Sequence, residues 1–220
     1  MNPLPDQSGN PQPAAGLRVA ITAADVALLT IMQEQLHVLL MPVDLPPHYP
    51  HMFGLPGGIL HAEETAREAA ARNLLLKASV SGVYMEQLHA YSDPARDLRS
   101  RSVSIAYLAL IPGEDAAALD IGTCQWWPIS TLPKLAFDHE QMIKDAAARL
   151  AVRLQITTLA SHLLPRQFTL AQLQTVHEIV LGKPMDKRNF RKKITEMAVL
   201  KSAGTYRGAA GRPAELFEFE

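Results

Sequence analysis

An α/β sandwich built on a mixed sheet, followed by a C-terminal winged helix-turn-helix domain, is the architecture this chain predicts, and three observations predict it. Strand-like and helix-like apolar patterns alternate through residues 18–156, which calls for helices on both sides of a sheet. Two capped helices then follow one another across a short turn. A hairpin flanked by bases closes the chain.

Taken in order, Met1 to Gly16 holds Pro3, Pro5, Pro11 and Pro13 among polar residues, so 1–17 reads as a disordered tail. Ala24 to Ile31 and Leu36 to Met41 read as strands around the turn Gln33-Glu34-Gln35. Pro42 to Met52 reads as a loop, and Leu55-Pro56-Gly57-Gly58 as a glycine turn able to approach a phosphate. Glu63 to Ala78 has good helix propensity. Tyr84 to Tyr91 and Ser102 to Ile111 are strands, separated by a charged loop with Arg96, Arg99 and Arg101, and Trp126-Trp127 lies in a short strand or turn. Leu135 to Val152 reads as a helix with Asp138 at its N-cap and Gln141 completing a capping box. Pro165-Arg166-Gln167 marks the passage into the second unit, residues 157–220. Thr169 and Gln172 form a capping box there, Phe168 and Leu173 a hydrophobic staple, and Gly182 a stop. Asp186 caps the next helix, with Met185 and Phe190 as its staple.

The lone Cys124 excludes an intramolecular disulfide and, without partner cysteines, a zinc knuckle; buried packing is its expected role. No apolar run is long enough to span a bilayer and no basic-then-apolar leader opens the chain, so the expected compartment is the cytoplasm, with no membrane partner. A net charge of −1 conceals an asymmetry: Lys183 to Arg212 carries nine bases against two acids. Such a block is either a solvated helix face or a footprint for a polyanion. On a helix from Asp186 to Met197, Phe190, Ile194 and Met197 share one side, while Arg188, Arg191, Lys192 and Thr195 face the other way and Asn189 and Lys193 flank them. An anchored helix with an arginine-rich outer face in second position favours DNA. The expected contacts are Lys187, Arg188, Asn189, Arg191, Lys192 and Thr195, with Arg207 and Arg212 on the wing.

Gly58 to Val80 resembles the Nudix box, G-x5-E-x7-R-E-U-x-E-E-x-G-U, where U is bulky and apolar. Gly58, Glu64, Arg72, Leu74 and Val80 match it; Asn73, Leu76 and Lys77 stand where that family has glutamates, and Ser79 where it has glycine. The resemblance implies a Nudix-like α/β/α sandwich and, in enzymes of the family, Mg²⁺-assisted cleavage of a diphosphate. Mg²⁺ requires hard oxygen ligands. An amide, an isobutyl group and an ammonium do not supply them, so the expectation is no catalytic residue, no bound Mg²⁺ and no hydrolysis. Lys77 is either a solvated lysine or a partner for a diphosphate.

The pairing of such a domain with a winged helix resembles the NrtR family of bacterial transcriptional regulators. The stretches that carry the likeness are Leu55 to Gly58, Glu86-Gln87-Leu88, Arg96-Asp97-Leu98-Arg99, Tyr107 to Leu110, Leu135 to His139, Asp186 to Lys192 and Gly211-Arg212-Pro213. This resemblance implies a homodimeric repressor that binds a palindromic operator and is released by a nucleoside diphosphate sugar such as ADP-ribose. The regulated genes would serve NAD biosynthesis or sugar catabolism. The expected effector contacts are Gly57, Gly58, Arg72, Lys77, Arg96, Arg99 and Arg101, the last three being equally readable as salt-bridge residues. The alternative is an active Nudix hydrolase of ADP-ribose or a related nucleotide sugar, with the C-terminal unit only holding the dimer.

Overall fold

The computed structural model describes residues 19–155, 158–206 and 213–220. The proposed tail and both wing arginines, Arg207 and Arg212, lie outside them. A mixed sheet runs in the order β3-β2-β1-β6-β5. Its centre is β1 (Ile21–Met32) lying parallel to β6 (Ser102–Leu110). The flanking strands β2 (Gln35–Leu45), β3 (Tyr49–Gly54) and β5 (Tyr84–Tyr91) are antiparallel to their neighbours. Two short strands join it, β4 (Gly57–Ile59) on β1 and β7 (Gln125–Pro128) on β2.

The strand period of two sorts the core into two layers. Ala24, Val26 and Leu28 of β1 pack with α1 (Ala66–Ala78) and the short α2 (Gly113–Ala118). Ala27 and Leu29 pack on the other face with α3 (His139–Leu154). The result is the expected α/β/α sandwich, and Cys124 is buried in the first layer.

Several element boundaries differ from expectation. Pro42 to Met52 is a strand hairpin rather than a loop, because β2 continues to Leu45 and pairs with β3. Among the described residues the only strand partner of β2 past Leu40 is β3, an edge position that tolerates Pro42. The reversal after β1 uses only Gln33 and Glu34, both at positive φ, while Gln35 already belongs to β2. α1 starts later than predicted, at a capping box of Thr65 and Glu68. Leu135 to Asp138 precede α3 instead of opening it. Asp138 makes no cap hydrogen bond and Gln141 donates to Asp145, so the predicted capping box is absent. Gly57 and Gly58 belong to β4 and not to a turn.

The second unit follows the prediction closely. A 3-10 turn (Leu159–His162) leads to α4 (Leu170–Leu181), capped by Thr169 and Gln172 and ended by Gly182 at φ 64°. Then come α5 (Lys187–Met197), with Asp186 as N-cap, and a hairpin of β8 (Leu200–Tyr206) and β9 (Ala214–Phe219). Phe168, fully buried, bonds β9 through the Phe217 backbone. The hydrophobic core does not stop at the Pro165 boundary. Leu150 and Leu154 at the end of α3 share one cluster with Leu163, Phe168, Leu173, Phe190 and Ile194.

Candidate functional site

A cavity of about 330 Å³ opens between β1, β2, β4, the Arg96–Ser102 loop and the start of α3. Its floor is a buried polar network that the sequence reading missed. Asp25 interrupts the apolar run of β1 and is 7% exposed. Ser104 donates to its carboxylate, with His139 Nε2 at 3.6 Å and Arg96 Nη2 at 3.8 Å. The Leu55 N–H donates to His139 Nδ1, which leaves the ring proton on Nε2, facing Asp25. Burial pushes the Asp25 carboxyl up, but His139, Ser104 and Arg96 together outweigh it and hold the group below the usual carboxylate range.

Of the predicted effector residues, Gly57, Gly58, Lys77, Arg96 and Arg99 line this cavity, and Arg72 and Arg101 do not. Arg72 is engaged by Glu64 at 2.5 and 2.9 Å and by the Ile59 carbonyl at 3.1 Å. The Arg72 guanidinium and the His61 N–H hold Glu64 down to about 2. Arg101 donates to backbone carbonyls of Asp93 and Ser102. The two lining arginines are internally paired. Arg96 grips Asp138 in a two-pronged pair at 3.1 and 2.9 Å, which is where that cap carboxylate went, and donates to Ser102. Arg99 pairs with Asp97 in the same way and lies over the Phe137 ring. The glycines serve close packing. A Cβ at Gly57 would overlap the Asp25 carboxylate, and one at Gly58 would stand 2.6 Å from Asn73 Oδ1.

The three substituted box positions do not share one role. Asn73 is buried and donates to the Ala69 carbonyl, Leu76 is 72% exposed, and Lys77 turns into the cavity and donates to the Gly57 carbonyl. Mg²⁺ does not fit this donor set. One amide is already packed between helix and β4, one side chain has no donor, and the third is a cation.

At the other end of the molecule α5 presents Lys187, Arg188, Asn189, Arg191, Lys192 and Thr195 to solvent, while Phe190 and Ile194 are buried. The Thr195 hydroxyl donates back to the Arg191 carbonyl, so only its acceptor side is free to contact a ligand. Lys192 has Glu196 at 3.9 Å. A clamp absent from the sequence reading fixes α5 against α4. Glu178 accepts from the Met185 N–H and from Gln174, which also donates to the Met185 carbonyl. The turn between the helices is thereby tied to α4, and α5 lies with its cationic face outward.

Residues 160–219 match the model of the NrtR DNA-binding winged helix domain. Over 205 residues the chain is 32% identical to the ADPR-responsive transcriptional repressor NtrR of Acinetobacter baylyi, covering 90% of this chain and 82% of that protein. The chain belongs to the NrtR family. The Shewanella oneidensis NrtR crystallised with a 27mer DNA superposes at a TM-score of 0.80, with 33% identity, covering 90% of this chain and 93% of that one. The NUDIX domain of the same S. oneidensis protein, crystallised with ADP-ribose, matches at a TM-score of 0.55 and 31% identity over 63% of this chain and 94% of its own. An ADP-ribose pyrophosphatase of Methanocaldococcus jannaschii is 39% identical over 94 residues, 42% of this chain and 56% of that enzyme. Among the described residues no helix is long and apolar enough to cross a membrane.

Proposed function

We propose that this NrtR-family protein is a transcriptional repressor whose winged helix binds operator DNA and whose Nudix-like domain senses ADP-ribose or a closely related nucleotide sugar. The observation that carries the DNA half is α5. Its apolar side is buried, its cationic side is exposed, and the Glu178 clamp ties the turn before it to α4, an arrangement that suits a recognition helix for the major groove. The A. baylyi repressor and the DNA-bound S. oneidensis NrtR support this reading over nine-tenths of the chain. The effector half rests on the cavity above Asp25 and on the ADP-ribose complex of the S. oneidensis domain.

The working unit is a homodimer that sets two α5 helices on the two halves of a palindromic operator, about 34 Å apart. Ligand and DNA exclude one another because they favour different dimer geometries, and only differential affinity for those geometries couples them. We infer that α3 carries the coupling. Its first residue, His139, lies on the floor of the cavity, and its last, Leu154, lies in the winged-helix core against α4 and α5. Fluorescence anisotropy with a palindromic promoter fragment tests the whole reading. Saturating ADP-ribose should release the DNA, and unchanged binding would remove ADP-ribose as effector.

The partial match to the M. jannaschii pyrophosphatase favours a second reading, hydrolysis of ADP-ribose. Asn73, Leu76 and Lys77 stand against it, and the protein should form no AMP from ADP-ribose in the presence of Mg²⁺ or Mn²⁺.

A further inference from the structure

We propose that the Lys77 ammonium takes the place of a metal ion in this cavity, so that the protein binds the diphosphate of its ligand without any divalent cation. The inference deepens the effector reading above and rests on it for the cavity, but not for the identity of the ligand. Three cationic side chains line the cavity. Arg96 is spent on Asp138 and Arg99 on Asp97. Among the described residues lining the cavity, Lys77 is the cation with no carboxylate at ion-pair distance. Its direct partner is a neutral carbonyl, that of Gly57. Asp25, on the floor beneath, supplies only a more distant attraction.

A half-buried ammonium with one neutral partner has two donors unspent and a charge that is only partly balanced. Burial draws the Lys77 ammonium below the usual lysine range, with Asp25 opposing. An anion entering from solvent would relieve both deficits by accepting charge-assisted hydrogen bonds. The surroundings select for such an anion. Lys77, which meets the Gly57 carbonyl, lines the same cavity as Gly57 and Gly58, so a phosphate that enters it comes beside the ammonium. At this place on the helix a glutamate would require a cation to meet a diphosphate, because carboxylate and phosphate repel. Lysine reverses the sign of the side chain and removes that requirement.

The test is isothermal titration of the full-length protein with two probes, ADP-ribose and inorganic pyrophosphate, each with EDTA and with Mg²⁺. Wild type should bind ADP-ribose equally in both buffers. Lys77→Met, which keeps the aliphatic stem, should weaken ADP-ribose by roughly 10- to 100-fold. Lys77→Arg should recover most of the loss, and Lys77→Glu should bind measurably only with Mg²⁺. Circular dichroism and melting temperature establish that each variant is folded. Wild-type binding that needs Mg²⁺, or full affinity in Lys77→Met, would overturn the inference while leaving ADP-ribose as effector. Lys77-dependent binding of pyrophosphate in EDTA without ADP-ribose binding would keep the inference and discard that effector. Binding of neither probe would discard both.

Discussion

Arg96→Met is the substitution that separates a structural ion pair from a ligand contact. In the folded protein the Arg96 side chain is 4% exposed. Its removal strands the Asp138 carboxylate, leaves the Ser102 hydroxyl without its donor and takes one of two positive-end neighbours from Asp25. Breaking a buried pair from one side costs about 3–5 kcal/mol, because the partner charge stays buried. Unfolding entropy of about 2.1 cal/mol/K per residue gives a chain of 220 residues roughly 0.46 kcal/mol per degree, so the melting temperature should fall by about 6–11 °C. The pH dependence adds a second signature. Asp25 has its carboxyl depressed in the folded state. Its stabilising contribution is therefore complete above the unfolded aspartate range, near pH ~4, and is lost as the pH falls below that through the folded value. Without Arg96 less stability depends on the ionised form, so the gap between wild type and variant should hold from neutrality down to about pH 4 and narrow below it. Thermal melts across that range decide it. A variant that melts within about 2 °C of wild type, or a gap independent of pH, would refute the ion-pair account. If such a variant had also lost ADP-ribose affinity, Arg96 would be a ligand contact instead.

Other substitutions test the remaining assignments. Ser79 ends α1 at φ 54°, a conformation that favours glycine; Ser79→Gly should stabilise by about 1 kcal/mol, raising the melting temperature by roughly 2 °C, and a lower value would show that the serine makes a compensating contact. Gly57→Ala drives a methyl into the Asp25 carboxylate; calorimetry should find a loss of about 1–3 kcal/mol, and unaltered stability would mean that β4 moves freely. Arg188→Ala and Arg191→Ala should each weaken operator binding by about 1–3 kcal/mol if they read bases, or lower the salt slope by about one unit if they hold phosphate. Wild-type affinity and slope in both would refute the outward face of α5 as the DNA surface.

The winged helix was legible because its signals are local. Thr169 and Gln172 cap α4 within one turn, and Phe190 and Ile194 fix which way α5 faces. The cavity was less legible because its bonds are long-range. Asp138 looks like a cap in sequence, yet Arg96, 42 positions earlier, takes its carboxylate. Local propensity cannot weigh that competitor. The same distance hid the link between Asp25, Ser104 and His139, although a charged residue inside the apolar run Ala23 to Leu29 was itself a visible signal of a buried site. The prolines of residues 42–50 masked a hairpin, since an edge strand carries prolines that an interior one would not. Gly57 and Gly58 stood out in sequence for a close approach to a phosphate, and the groups that crowd them in the structure are Asp25 and Asn73.

The placement of α3 makes a further demand on the repressor mechanism. Its 16 residues span about 24 Å, and both ends are tied to parts that must communicate. At the start, His139 and the diverted Asp138 belong to the cavity network. At the end, Leu154 is buried in the shared core and lines one small cavity with His177 of α4, which packs edge-on against Phe190 of α5. A rigid helix held this way transmits a shift at one end as a shift at the other. Leu154→Ala should cost about 2–5 kcal/mol of stability, but its informative effect is on coupling. The ratio of operator dissociation constants with and without saturating ADP-ribose should fall toward one. By reciprocity the ratio of ADP-ribose affinities with and without operator must fall by the same factor. Measuring both ratios guards against a merely unstable variant, which would lower the active fraction and leave each ratio intact. An unchanged ratio in Leu154→Ala would move the coupling away from α3 and onto the contact between copies in the proposed homodimer.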